Sequence, residues 1–270
     1  MDLNKYKEFI EKFTKIKESL WLNKQFQNNK SPVIVFGGYG ESLKHPKFFE
    51  FVQTAKKEDY KTTLITNGLL LTEKNCEGII ESGLDKLAIS LHTLDRKINK
   101  KIMGIDSLSK IEKALYFFDK SPLEIEIWRT SRFDGKPYNY KETPEDYSNF
   151  LSNYGKSRLV LGPTPAWNRG GQFNSDFYPV VHDKGIRCQR AYFTLNVSFN
   201  GDFVPCCCDF STKANLIAKE WDFNFEKVQK NLTYLINHPS EMCRSCRKPS
   251  DDDYKRFYNN NLKSKNGTKR

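Results

Sequence analysis

Apolar residues recur at helical spacing over residues 3–22 (Tyr6, Phe9, Ile10, Phe13, Ile16, Leu20), which predicts an amphipathic helix. After Pro32, Val33-Ile34-Val35-Phe36 is a short apolar run of the buried-strand type, broken by Gly37-Gly38-Tyr39-Gly40. Helical spacing resumes from Pro46 through Lys57. Thr62 to Thr66 is a second β-branched run, closed by Asn67-Gly68. Thr72 has the chemistry of the cap of the next helix, which Gly83 ends. Lys86–Leu91, Leu123–Arg129 and Arg158–Leu161 predict three more strands, separated by helices over Ser107–Asp119 and Pro144–Tyr154. Strands alternating with helices at this pitch imply βαβ units and a parallel sheet.

Past Pro163 the alternation stops, and glycine, proline and aromatic residues take over. Tyr192–Phe199, Asn200-Gly201 and Asp202–Pro205 predict a β-hairpin, because Asn-Gly is the preferred two-residue turn. The end of the chain from Ser250 is polar, with one short helix before a frayed tail.

Composition narrows the picture. A chain of 270 residues with 38% hydrophobic and 14% aromatic residues can bury a real core. It has no apolar run of the roughly 20 residues that cross a bilayer, and its amino terminus lacks the apolar segment of a secretion signal. These features place it in the cytoplasm, away from the membrane. In that reducing compartment, clustered cysteines mean metal more often than disulfide. The net charge of +11 comes from lysines spread along nearly the whole chain, without a zinc-finger, RRM or KH signature. A nucleic-acid partner is therefore not expected, and a preference for an acidic substrate is the minority reading of the charge.

Gly37-Gly38-Tyr39-Gly40-Glu41 sits just past the carboxyl end of a predicted buried strand, the edge where parallel sheets bind ligands. Glycines there let the backbone approach a ligand directly. Leu43 stands where a dinucleotide fingerprint needs its third glycine, and no P-loop ending follows. By itself the segment reads equally well as a tight turn or a binding loop. Three successive strand ends, however, carry Gly38-Tyr39-Gly40-Glu41-Ser42-Leu43-x-His45-Pro46, Leu64-Ile65-Thr66-Asn67-Gly68 and Leu87-Ala88-Ile89-Ser90-Leu91-His92. In order and spacing these resemble the radical SAM enzymes, over residues 33–161. Ser42 replaces that family's usual proline. The resemblance implies that Gly38, Tyr39, Gly40 and Glu41 hold the amino group of S-adenosylmethionine, and that Asn67 and Ser90 lie on the cofactor-facing rim. It leaves His92 as a partly buried rim residue.

The cysteines carry the second signal. Cys188, Cys206, Cys243 and Cys246, with Cys207 and Cys208 beside the second of them, offer thiolates from separate segments. Tetrathiolate coordination suits zinc or an iron–sulfur cluster, and the residues alone do not separate the two. Cys188-x-x-Ala-Tyr-Phe, then Asn200-Gly201-Asp202-Phe203-Val204-Pro205-Cys206-Cys207-Cys208-Asp209, then Cys243-x-x-Cys246 resemble the SPASM/twitch domain. The resemblance implies one auxiliary [4Fe–4S] cluster on Cys188, Cys206, Cys243 and Cys246, with zinc as the alternative and Cys207 and Cys208 spare. Trp167-Asn168-Arg169-Gly170-Gly171 resembles the passage between barrel and cluster domain in that family, which makes Arg169 a candidate contact, against the reading of a solvated surface arginine.

Radical SAM chemistry also needs a Cys-x3-Cys-x2-Cys loop, and no cysteine precedes Cys76. Two readings stand: an amino-terminally shortened enzyme, or a cluster-poor relative that binds a partner without making radicals. The expected architecture is α/β, an incomplete (β/α)6 barrel lacking its first strand (residues 1–165), then a cysteine-rich cluster domain (166–249) and a basic tail (250–270). The expected function is that of a radical SAM/SPASM-like iron–sulfur protein, whose full-length relatives modify peptides or oxidise sugar-like alcohols, with this chain inactive alone. Its substrate would be a peptide or a small molecule. The alternative is a non-catalytic, metal-stabilised module that binds a protein or peptide. No catalytic residue can be named: position alone gives Arg129, Asp134 and Arg169 no chemical role.

Overall fold

The computed structural model describes residues 1–17, 32–38, 40–128, 132–133, 136–137, 142–154, 157–159, 195–207, 209, 216–219, 222, 224–238 and 240. The chain divides into two units. The first is built mainly from Met1–Arg129 and Asn139–Leu161, and the second from Thr130–Tyr138, Gly162–Ser198 and Asp202–Arg270.

In the first unit, β-branched runs bounded by turn residues become the strands β1 (Val33–Phe36), β2 (Lys61–Thr66), β3 (Lys86–Ser90) and β4 (Glu124–Trp128). They pair in parallel and in chain order, and Ser157–Leu159 adds a further parallel strand beside β4. Parallel neighbours need crossovers, and helices supply them. After α1 (Leu3–Lys17) come α2 (Phe48–Lys57), α3 (Glu73–Glu81), α4 (Arg96–Met103), α5 (Leu108–Phe118) and α6 (Pro144–Ser152). Phe48, Phe51, Val52 and Ala55 form the buried stripe of α2, and Leu108, Ile111, Leu115 and Phe118 that of α5. Phe48 and Val52 of α2 and the stripe of α5 meet Leu64, Leu87, Ile89, Ile125 and Ile127 from one face of the sheet to make the core. Full burial of each such side chain contributes about 1.5–3 kcal/mol, which is why the apolar spacing governs the fold.

The cap chemistry follows the sequence. The Thr72 side chain accepts from Asn75 N–H, and Thr143 with Asp146 completes a capping box at α6. Two features differ from the expectations. The helix α4 was not foreseen: it has only two turns and a lysine-rich face, and the Asp95 carboxylate initiates it by accepting from Lys97 and Ile98 N–H. β1 is not buried on both faces, since Val33 and Val35 are 55% and 54% exposed. β1 ends the strand order, so only its alternate residues pack on helices; Phe36, for example, meets Phe48 edge-on.

At the amino edge of the sheet, Asp85 receives Lys56 Nζ at 2.7 Å, Lys61 Nζ at 2.9 Å and both Thr62 N–H and Oγ1–H. Partial burial opposes ionisation of Asp85, but these donors outweigh it and bring the carboxyl from 3.8 down to about 2. A depressed carboxyl stabilises the fold above its unfolded value, and that stability is lost as pH falls from about 4 through 2. Lys61 is largely exposed, so screening reduces the contribution to about 1–2 kcal/mol. Asp85→Asn is accordingly expected to lower urea stability by about that amount at pH 7 and to leave it nearly unchanged at pH 2. An equal loss at both pH values would contradict this.

The second unit contains two antiparallel pairs. β5 (Arg132–Phe133) pairs β6 (Lys136–Pro137), and β8 (Asn196–Val197) pairs β9 (Phe203–Val204), with β7 denoting Ser157–Leu159 of the first unit. The β8–β9 turn is longer than the two-residue Asn-Gly turn expected. Ser198 N–H donates to the Asp202 carbonyl, so Phe199-Asn200-Gly201 forms the loop, with Gly201 at φ +88°. A helix also missed in the sequence, α7 (Phe225–Asn237), is capped by Asn224 and ties back to the strand region through Asn231 Nδ2, which donates to the Ile217 carbonyl. No helix among the described residues is long and apolar enough to cross a membrane.

Candidate functional site

The carboxyl ends of β1 to β4 lie along one edge of the sheet, because all four strands run the same way. At β1 the chain turns through Gly38 (φ +127°) and Gly40 (φ +96°), a region L side chains rarely enter. A Cβ added at either glycine would meet nothing within 4 Å, so the turn is open in front rather than packed. Its glycines serve backbone shape and access, not close packing.

Glu41 follows the turn and holds it to the next strand. Its Oε2 accepts from Thr66 Oγ1 at 2.9 Å and from Asn67 N–H at 3.1 Å, and its Oε1 accepts from Leu43 N–H at 3.4 Å. Glu41 is half-buried and Thr66 is buried. A carboxylate has about four lone-pair positions, so these donors leave capacity for a ligand cation. Thr66 is itself oriented, since its hydroxyl also accepts from Gly68 N–H at 3.1 Å. Gly68 has φ +79°, and a Cβ there would lie 2.7 Å from Ile111 Cγ1. Conformation and space both demand glycine at this position. The Asn67 side chain accepts from Leu69 N–H, so it serves the turn and does not reach towards Glu41.

Ser90 ends β3 and is partly exposed on the edge. Leu91 N–H donates to the Trp128 carbonyl at 2.9 Å, locking the ends of β3 and β4 together. Burial holds the His92 imidazole below its usual range, so it is mainly neutral at pH 7. Thr93 is fully buried, and its hydroxyl donates to Glu142, which also accepts from Leu94 and Asp95 N–H. Partial burial opposes ionisation of Glu142, and these donors outweigh it to hold its carboxyl below the usual range. Glu142 was missed in the sequence: its donors lie 47–49 residues away, and no local pattern marks it.

The edge therefore gathers Gly38, Gly40, Glu41, Asn67 and Ser90 along three adjacent strands, and Tyr39 lies outside the described residues. An open glycine turn beside a half-buried carboxylate fits a ligand that carries an ammonium group, as S-adenosylmethionine does. For the cysteines, Cys206 is partly buried and Cys207 exposed just after β9, in a turn closed by Asp209 N–H donating to the Cys206 carbonyl at 3.1 Å. Cys188, Cys208, Cys243 and Cys246, with Arg129, Asp134 and Arg169, lie outside the described residues. Among the described residues, no group of three or more histidine, cysteine, aspartate or glutamate side chains is gathered as a metal ion requires. Cys76 is buried in α3, and burial first, then Glu73 and Glu77, push its thiol up to about 12, which makes it an inert core residue.

The chain is 25% identical over 209 residues to the tungsten-containing aldehyde ferredoxin oxidoreductase cofactor-modifying protein of Pyrococcus furiosus, covering 64% of this chain and 57% of that protein. The chain thus spans little more than half the length of that relative. Its fold is similar to that of BtrN in complex with AdoMet and 2-DOIA, with TM-score 0.57 and 17% identity over 93% of this chain and 81% of that one. It is also similar to Streptococcus suis SuiB bound to S-adenosylmethionine, with TM-score 0.52 and 14% identity over 85% of this chain and 58% of that one. At those identities the likeness is one of fold. The model of the Radical SAM superfamily matches residues 8–147, more than half of the chain and the whole of the edge from the glycine turn to Glu142. The chain belongs to the radical SAM superfamily.

Proposed function

We propose that this chain binds S-adenosylmethionine along the carboxyl edge of β1–β3 and carries one auxiliary [4Fe–4S] cluster on Cys188, Cys206, Cys243 and Cys246. The observation that supports the first part is the junction at Glu41. A carboxylate that already takes hydrogen bonds from Thr66, Asn67 and Leu43 is rigid, and it directly follows an open glycine turn in the chain. Gly38 and Gly40 leave backbone groups accessible there, Glu41 attracts the ligand's ammonium, and Ser90 offers a hydroxyl two strands along. When bound, S-adenosylmethionine supplies a cleavable sulfonium. The whole protein in which such a chain works would act on a peptide or a sugar-like alcohol.

These 270 residues contain no Cys-x3-Cys-x2-Cys. On its own the chain is therefore expected to bind S-adenosylmethionine without cleaving it reductively. The test is anaerobic equilibrium dialysis with S-adenosylmethionine, followed by incubation with a strong reductant and chromatography for 5′-deoxyadenosine. Binding without 5′-deoxyadenosine is the expected result. Release of 5′-deoxyadenosine would overturn the second part, and absence of binding would overturn the first and favour a non-catalytic module.

A further inference from the structure

The geometry points to a second ligand site, at the amino edge of the sheet, that takes a short zwitterionic peptide of two or three residues. It goes beyond the proposed cofactor edge and does not depend on it. A groove of about 530 Å³ opens at the amino edge, a volume in the range of small-molecule sites. Its walls come from the starts of β1 to β4, the end of α3 and the turn that leads into β4.

The charged side chains that line this groove are Lys61, Asp85, Lys86 and Glu124, and they are grouped unevenly. Lys56 and Lys61 share the single carboxylate of Asp85, at 2.7 and 2.9 Å, so this end has one positive charge in excess. Lys86 is instead shared by two carboxylates, Glu126 at 2.8 Å and Glu124 at 3.2 Å, so this end has one negative charge in excess. Glu126 is buried and holds the Lys86 ammonium in place. Lys61 and Glu124 are the more exposed members of their groups, and they carry the two surplus charges at the groove.

A simple anion or cation would meet one matching end and one repelling end, whereas a zwitterion matches both. Lys61 lies on β2 and Glu124 on β4, two strand spacings or about 10 Å apart. A peptide extends by about 3.3–3.6 Å per residue, so two or three residues span that distance and a single amino acid does not. The ligand's carboxylate then pairs with Lys61 and its ammonium with Glu124. Between the ends lies Thr63, the register partner of Lys86. It is buried, and its hydroxyl has no hydrogen-bond partner among the described residues, so it suits a peptide amide. Val33 and Ile80, both exposed large apolar side chains, line the same groove and give an apolar side chain of the peptide a surface to cover.

The test measures binding of the tripeptide Ala-Leu-Ala to the full chain by calorimetry at low ionic strength, beside its amino-acetylated, carboxy-amidated and doubly blocked forms. Saturable binding of the free tripeptide is expected. Blocking either end should weaken it about 5- to 10-fold, because an ion pair in a half-open groove lies between exposed and buried pairs in strength. Lys61→Gln should weaken the free tripeptide to the same extent and abolish the further loss on amidation, while keeping the loss on acetylation. Glu124→Gln should do the reverse. This exchange assigns each end to its residue, and a general loss of stability would not produce it. Thr63→Val, of nearly equal shape, should weaken all four forms severalfold.

The inference is overturned if the free tripeptide does not bind, if the doubly blocked form binds as well as the free one, or if only one of the two ends matters. It is also overturned if folded Lys61→Gln and Glu124→Gln bind all four forms as the unmodified chain does. Both variants should bind S-adenosylmethionine unchanged, since neither residue lies on the carboxyl edge. If the unmodified chain binds the tripeptide and not S-adenosylmethionine, the cofactor reading fails and this site stands. The opposite result overturns this inference alone.

Discussion

Glu41→Ala is expected to weaken S-adenosylmethionine binding about 100-fold and to lower stability by about 2–3 kcal/mol. The substitution removes the acceptor for Thr66 Oγ1, Asn67 N–H and Leu43 N–H together. Thr66 is buried, so its hydroxyl loses a charged partner without gaining water, and hydrogen bonds to charged groups are worth about 1.5–3 kcal/mol each. The three are not additive, because the same loop relaxes for all of them. Binding falls further than stability because the carboxylate is also the proposed partner of the ligand's ammonium. Glu41→Gln separates the effects: its amide oxygen can still serve Thr66 and Asn67, so stability recovers while the charge for the ligand is lost. Equilibrium dialysis and urea unfolding on both variants measure the two quantities. Binding by Glu41→Ala within threefold of the unmodified chain would refute the assignment.

The second large effect concerns the cysteines. After anaerobic reconstitution, the unmodified chain is expected to hold about four irons and matching sulfide, and Cys188→Ser, Cys206→Ser, Cys243→Ser and Cys246→Ser each less than about one. Serine replaces a soft thiolate with a hard hydroxyl, a much poorer ligand for a cluster iron. Cys207→Ser should retain the iron. Cys206 is partly buried at the start of the turn that Asp209 N–H closes, while Cys207 is exposed. A turn of this kind gives its first residue a fixed direction from the strand end, which a ligand needs. Iron, sulfide and zinc analysis on the set provides the measurement. Zinc without sulfide would establish the structural-metal alternative, and iron loss in Cys207→Ser would exchange the roles of the two neighbours.

Much of the first unit was legible in the chain. Val33–Phe36 and the β-branched run before Asn67 became β1 and β2 because their side chains suit a pleated surface and their flanking glycines cannot continue it. The buried stripes of α2 and α5 follow the spacing of their apolar residues. Local hydrogen-bond chemistry placed Thr72 at a helix start. Where tertiary context ruled, the reading fell short. α4 is a short helix with a lysine-rich face, set by the Asp95 cap and by Arg96, which pairs with Asp106 and Glu112. The β8–β9 loop is closed by Ser198 and Asp202 and not by Asn200-Gly201 alone, because pairing register outweighs the preference of a dipeptide.

The sequence by itself determined the βα alternation, the glycine turn followed by Glu41, and the positions of the thiols. Each rests on short-range physics: periodicity, backbone freedom and residue chemistry within a few positions. Only the tertiary structure decided which groups meet. It brought Glu41 to Thr66 across 25 residues, Glu142 to Thr93 across 49, and Lys86 to Glu126 across 40. Those pairings depend on strand order and register, which arise from burying one shared core and not from any segment's own preference.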